Sequence, residues 1–175
     1  MSYSIFMKTC CVTGNRPQKF PWKYGKGRKH KKYLADIARQ IDDLLGYGYL
    51  HFISGGALGV DQDFAEAVLC AKEIHEQITL EIAVPCRAQD LRWSEADRLR
   101  YRSILERADK VVVLSERYTN SCMQRRNEYM VDKSDLALAY WNGEESGGTW
   151  NTIKYARLQQ KPLKIIRLDY YKKQR

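Results

Sequence analysis

Leu50-His51-Phe52-Ile53-Ser54-Gly55-Gly56-Ala57-Leu58-Gly59-Val60-Asp61 changes its period partway along. Its first four residues form a short apolar run fit for a buried strand. From Val60 onward the apolar residues recur at Phe64, Ala67, Val68, Ala71 and Ile74, the spacing of one helix face. Three glycines separate the two patterns. A strand running through a glycine-rich turn straight into a helix is half of a β-α-β unit. The same alternation extends in both directions, with apolar runs at Ile5–Val12, Leu80–Val84, Val111–Leu114, Leu136–Trp141 and Leu163–Leu168. Several are rich in Val and Ile and apolar on both faces, as strands of a helix-covered parallel sheet are. Between the first two runs, Leu34, Ile37, Ala38, Ile41, Leu44 and Leu45 follow the helical period, and Gly46 and Gly48 end that helix. Weaker patterns put further helices at about 96–108, 121–134 and 149–160. The expected fold is α/β: a Rossmann-like, doubly wound, mainly parallel sheet of about six strands with helices on both faces. No internal repeat or linker divides the 175 residues, so a single domain over 1–175 is expected.

The net charge of +9 is concentrated in one place. Arg16, Lys19, Lys23, Lys26, Arg28, Lys29, Lys31 and Lys32 fall between Asn15 and Lys32 without a single acid, and the rest of the chain is close to neutral. Such a run reads as an exposed, mobile basic loop over about 15–32, dispensable for folding. Trp22 and Tyr24 lie inside it and could stack on bases. The apolar runs are too short to cross a bilayer, and the N-terminus lacks a signal-peptide pattern. Cys10, Cys11, Cys70, Cys86 and Cys122 are odd in number and lack paired spacing, which suits reduced thiols and a cytoplasmic location. Adjacent Cys10 and Cys11 cannot point the same way from a strand.

Ligands of such a sheet bind beyond the carboxyl ends of the strands. After the first run, Gly14 permits close backbone approach, Asn15 tolerates unusual angles and Arg16 offers a fork for phosphate; a plain turn is the alternative. After the second, Ser54, Gly55 and Gly56 lead into a helix whose first turn holds Asp61. Exposed backbone N–H groups there would suit a phosphate, and Asp61 would complement the macrodipole or hold a hydroxyl. A tight structural turn is again the alternative. After the fifth, Ser146-Gly147-Gly148-Thr149 repeats the arrangement. Arg126 and Asn127 sit on the preceding helix, where a solvated face is the plainer reading. His30 reads as solvated, and His51 and His75 have no visible partner. No His, Cys or acid grouping has metal-ligand spacing, and nothing calls for a cofactor. Ser54 lacks the nucleophile-elbow pattern. Trp93, Trp141 and Trp150 read as core or interface.

Gly14-Asn15-Arg16-Pro17, Ser54-Gly55-Gly56-Ala57-x-Gly59-x-Asp61, Arg126-Asn127-x-x-Met130-Val131-Asp132 and Gly147-Gly148-Thr149 occur in an order that resembles the SLOG superfamily, nearest its YpsA-like branch. The resemblance spans roughly residues 6–168. It implies a Rossmann-like fold holding a nucleotide or nucleotide-derived ligand on the two glycine-rich loops, through Gly14, Asn15, Arg16, Ser54, Gly55, Gly56, Asp61, Arg126, Asn127, Gly147, Gly148 and Thr149. The superfamily also includes the DprA/Smf DNA-processing proteins and the LOG phosphoribohydrolases. LOG enzymes follow their Gly-Thr with a glutamate pair, whereas Trp150, Asn151 and Thr152 stand here. Glu144 and Glu145 precede the glycines and are not equivalent. Asp61 or Glu128 would have to supply the carboxylate that glycosidic cleavage requires, so the catalytic residues are unassigned.

Two functions follow. In the first, the protein is a nucleotide sensor or weak N-glycosidic hydrolase. In the second, it binds single-stranded nucleic acid in the manner of DprA through the basic segment. A second copy of the chain is kept as a further partner option.

Overall fold

The computed structural model describes residues 7–173. Six strands form one parallel sheet: β1 (Lys8–Gly14), β2 (Tyr49–Ser54), β3 (Thr79–Val84), β4 (Lys110–Val113), β5 (Leu136–Trp141) and β6 (Leu163–Arg167). Five helices alternate with them: α1 (Gly27–Gly46), α2 (Val60–Lys72), α3 (Glu95–Arg107), α4 (Cys122–Asp132) and α5 (Gly147–Leu158). A short α6 (Tyr170–Lys173) follows β6. The part of the first apolar run at Ile5 and Phe6 lies outside the described residues.

The strand order is β4-β3-β2-β1-β5-β6. From β1 the chain works outward to β4, then returns to β5 on the other side of β1. That reversal opens a crevice beyond the carboxyl ends of β1 and β5, where doubly wound sheets hold their ligands. Side chains alternate along β1 as a strand requires. Cys10 and Val12 join the core formed with α1, α2 and α3, while Cys11 joins the opposite core formed with α4 and α5.

The buried stripe of α1 is Tyr33, Ile37, Gln40, Ile41 and Leu44. It is rotated from the expected one, since Leu34 and Ala38 face solvent. Tyr33 has the larger apolar surface and takes the core position. Ile74 is 79% exposed because α2 ends at Lys72, before that residue is reached.

The basic segment is not the loose loop that its charge suggests. Helix α1 begins at Gly27, so Arg28, Lys29, Lys31 and Lys32 occupy its first turns. The preceding stretch is pinned by aromatics. Phe20 is buried with ring centroids 5.1 Å from Trp22, 5.0 Å from Tyr24 and 5.2 Å from Tyr33. His30 is buried rather than solvated, and its Nδ1 accepts from Trp22 Nε1 at 3.3 Å. Tyr24 and Tyr33 donate to the two carboxylate oxygens of Asp63 at 2.6 and 2.9 Å, and Arg100 closes the network at 2.8 Å. Charge alone misleads because the cations alternate with residues that carry large apolar area. The aromatics fold inward and the lysines point out.

Candidate functional site

A cavity of about 470 Å³ lies in the crevice between β1 and β5. Nine of the expected residues line it: Gly14, Asn15, Arg16, Asp61, Arg126, Asn127, Gly147, Gly148 and Thr149. The three from the second loop, Ser54, Gly55 and Gly56, do not.

That second loop is occupied with holding itself together. Ser54 Oγ donates to the Asp61 carbonyl at 2.7 Å and accepts the Gly56 N–H at 3.2 Å. The Ala57 N–H goes to Asp61 Oδ2 at 3.3 Å. The Gly55 carbonyl accepts from Arg126 Nη1 at 2.7 Å and from Gln89 Nε2 at 3.2 Å. A side chain on Gly55 would collide with the Arg126 guanidinium, and a Cβ on Gly56 would stand 2.8 Å from Tyr101 Cε2. Gly56 also has φ +65°, a conformation costly for any other residue. The two glycines pack closely beneath the cavity, and a Cβ at Gly56 would face Tyr101 and Ile82.

The third junction is built the opposite way. Ser146 precedes α5 in extended conformation without capping it, and the first turn of α5 carries no acid. Ser146, Gly147 and Gly148 are exposed. The N–H groups opening a helix have no intrahelical acceptor, and the macrodipole makes that end positive. Here they open on the cavity. Asn127 Nδ2 lies close by, 3.9 Å from where a Gly148 Cβ would be.

Four elements supply the side chains. Helix α4 presents Met123, Arg126, Asn127 and Met130 on one face, as helical spacing dictates. Arg126 Nε donates to Asn127 Oδ1 at 2.8 Å, which turns the Asn127 amide. Asp61 Oδ2 stands 3.8 Å from Arg126 Nη1. Burial pushes the Asp61 carboxyl above its ordinary value, against the pull of Arg126 and the Ala57 N–H. Burial lowers the Arg126 guanidinium, with Asp61 opposing and Arg16 adding to the fall. Arg126 is thus a buried positive centre on the cavity wall, held by the Gly55 carbonyl, Asn127 Oδ1 and Asp61. The Arg16 side chain makes no hydrogen bond or ion pair among the described residues and is free for a ligand. Asn15 Oδ1 accepts the Asn142 N–H at 2.8 Å, joining the loops that follow β1 and β5. At the mouth, Lys19 Nζ meets Glu144 Oε2 at 2.5 Å across the same two loops.

The motifs missed Val12, Gln18, Lys19 and Met123 as wall residues. Met123 was legible from helical spacing, being three residues before Arg126 and seven before Met130. Asp61 is the sole carboxylate on the wall among the described residues. Glu128 is not on it, and its Oε1 accepts from Gln124 at 2.9 Å. Trp141 and Trp150 stack at 5.1 Å beside α5, away from the cavity lining. Among the described residues no group of three or more His, Cys, Asp or Glu could hold a metal ion, and no helix is long and apolar enough to cross a membrane.

Relatives and one solved structure bear on this arrangement. The chain is 36% identical over 138 residues to the uncharacterized SPbeta prophage-derived protein YoqJ of Bacillus subtilis, covering 72% of this chain and 78% of the relative. It is 36% identical over 131 residues to UPF0398 protein BH1768 of Halalkalibacterium halodurans, covering 73% and 69%. UPF0398 protein YpsA of Bacillus subtilis shares 27% over 147 residues, 81% and 79% of the two chains. Among solved structures, DNA processing protein A of Helicobacter pylori superposes with a TM-score of 0.59 at 19% identity. The match covers 90% of this chain but only 64% of that one, a protein described as binding single-stranded DNA. At that identity the likeness shows the fold alone. The family model that matches residues 10–171 takes in the whole sheet except the first residues of β1; with those relatives, it shows that the chain belongs to the YspA SLOG family.

Proposed function

We propose that the cavity binds a nucleotide or nucleotide-derived ligand, with its terminal phosphate on the N–H groups of Gly147, Gly148 and Thr149. The observation that carries this reading is the uncapped, acid-free start of α5 opening on the cavity beside an Arg16 whose side chain makes no hydrogen bond or ion pair among the described residues. Arg16 supplies a charge-assisted contact and Arg126 a second positive centre. Met123, Met130 and Val12 offer the apolar wall against which a base packs, and Asn15, Asn127 and Asp61 offer polar contacts for ribose or base edges. Asp61 is tied to Ala57 and faces Arg126, so it is better disposed to hold a hydroxyl than to activate water. The protein acts as a reader of its ligand or, at most, as a slow hydrolase. A thermal-shift screen against nucleoside monophosphates, dinucleotides and ADP-ribose tests this, since a ligand binding only the folded state raises the midpoint. Stabilisation by at least one of them, lost in Arg16→Ala, is expected; no stabilisation at millimolar concentration overturns the reading.

A second reading has an observation of its own. Lys23, Lys26, Arg28, Lys29 and Lys31 have no carboxylate within ion-pair distance among the described residues, and Arg16 and Lys19 join the same sequence segment to the cavity wall. No acid stands in the first turn of α1 to balance them. Such a surface suits the phosphodiester backbone of a single strand, which would make affinity fall steeply with salt. Anisotropy of a labelled oligothymidine across a salt series decides between the two. A shallow slope and unchanged binding on neutralising Lys26, Arg28, Lys29 and Lys31 would rule the strand out.

A further inference from the structure

Lys19 and Glu144 meet across the mouth of the cavity, Nζ to Oε2 at 2.5 Å, with both side chains about half exposed. Their main chains are anchored without that contact. Lys19 ends the turn Pro17–Lys19; its N–H donates to the Arg16 carbonyl at 2.9 Å, and its own carbonyl accepts Asn142 Nδ2 at 3.2 Å. The Glu144 N–H donates to Asn142 Oδ1 at 3.0 Å, and its carbonyl accepts Trp141 Nε1 at 2.9 Å. Asn142 therefore fixes both loops, and the ion pair can open without moving either. An exposed pair of this kind holds weakly. The hydrogen bond from Lys19 keeps the Glu144 carboxyl below its ordinary value, so it stays charged at neutral pH. Among the described residues the cations on the wall are Arg16, Lys19 and Arg126, and they differ in what already balances them. Arg126 is buried and faces Asp61. Arg16 makes no hydrogen bond or ion pair among the described residues. Lys19 is balanced by a carboxylate that is itself exposed and off the wall.

Given the nucleotide reading of the cavity, on which this rests, we propose that Glu144 is a placeholder for an anionic group of the ligand. The ligand is then a nucleoside diphosphate whose two phosphates span the start of α5 and Lys19. The terminal phosphate takes the N–H groups of Gly147, Gly148 and Thr149 together with Arg16. The phosphate beside it takes Lys19, whose ammonium offers three donors on a flexible four-carbon stem. Glu144 stands three residues before Gly147, a span of at most about 11 Å, so the ammonium that it holds starts near the helix end. A diphosphate carries more charge than one carboxylate, so it displaces Glu144 from Lys19 and leaves the acid facing solvent. A monophosphate reaches only the first centre, and the ion pair stays closed.

Titration calorimetry of the whole chain with inorganic phosphate, inorganic pyrophosphate and the ribonucleoside mono- and diphosphates tests this. Pyrophosphate should bind about tenfold tighter than phosphate, the gain expected of one charge-assisted hydrogen bond. The best nucleoside should show the same preference for its diphosphate. Lys19→Met, which keeps the apolar stem, should erase that preference. Glu144→Gln should enlarge it a few-fold, because no carboxylate then competes for Lys19. A preference that survives Lys19→Met, or a diphosphate affinity that falls in Glu144→Gln, would overturn the proposal. So would equal binding of mono- and diphosphates by the unaltered chain, a result that leaves the nucleotide reading standing. Failure of every phosphate compound to bind would remove both.

Discussion

The loops after β2 and β5 are written in nearly the same letters and are built for opposite ends. Ser54-Gly55-Gly56 closes a strand and leads toward a helix, while Ser146-Gly147-Gly148 follows a strand's loop and opens a helix. In the first, the Gly56 N–H goes to Ser54 Oγ, the Gly55 carbonyl takes two side-chain donors, and the Ala57 N–H goes to Asp61. In the second, Ser146 caps nothing and the first turn of α5 is exposed to the cavity. A glycine-rich turn at a helix start is an anion cradle only while its N–H groups are unspent. The spent loop still matters, because it anchors Arg126 and Asp61 under the open one.

The largest effect should come from breaking the spent loop. Gly56→Val places a Cβ against Tyr101 at φ +65°; overpacking costs about 1–3 kcal/mol and the left-handed conformation about 1–2 more. A fall of roughly 10 °C in melting midpoint follows for a chain of this size. Calorimetry that finds the variant as stable as wild type would contradict the packing role. The open loop should respond in reverse. A Cβ at Gly148 meets no atom nearer than 3.9 Å, so Gly148→Asp can be seated there, and a carboxylate in the first turn of a helix is worth about 0.3–1 kcal/mol in stability. The folded protein should keep or raise its midpoint while losing roughly 100-fold in affinity for the nucleotide that stabilises it best, about 2.7 kcal/mol. Titration calorimetry showing unaltered affinity would place the phosphate elsewhere.

Arg16→Ala separates charge from scaffold on a smaller scale. Since the side chain makes no hydrogen bond or ion pair among the described residues, stability should stay within about 0.5 kcal/mol. Affinity should fall about tenfold or more, the loss expected of one charged hydrogen bond. Equal loss of stability and binding would mean that Arg16 belongs to the framework.

The smallest effect concerns Asp61, which serves both loops. Its folded carboxyl is raised by burial. A raised folded value means the folded state takes up a proton more readily than the unfolded chain. The cost of burying the charge is therefore present above that value and relieved as pH falls through it. Asp61→Asn should flatten this part of the stability–pH profile and tighten inorganic phosphate binding a few-fold, because one negative charge leaves the cavity. Urea midpoints at a series of pH values below neutrality, with the same slope in both proteins, would show that the carboxylate does not govern the profile.

Much of this molecule could be read along the chain. Residues buried on both faces give a strand such as Leu136–Trp141 an unbroken apolar run, and helices that cover a sheet keep their stripe, so element types and the α/β class follow from local pattern. The order of motifs carried the likeness to the family. The start of α5 at Gly147, Gly148 and Thr149 was legible as an acid-free helix N-terminus because the same local chemistry makes and reveals it. Other features needed distant partners. Whether Tyr33 or Leu34 faces the core depended on Phe20, Trp22 and Tyr140 gathering around one ring. Whether the lysine-rich segment was loop or helix depended on Asp63, which lies thirty-nine residues beyond Tyr24. Gly55 and Gly56 looked like a cradle until the N–H groups around them found acceptors: Gly56 on Ser54 Oγ, Ala57 on Asp61 and Val60 on the distant Asn15 carbonyl. The sequence by itself determined where the backbone would turn and which helix starts would be positive. Only the tertiary structure decided which of those groups remained free, because hydrogen-bonding capacity is finite and the competitors for it arrive from elsewhere in the chain.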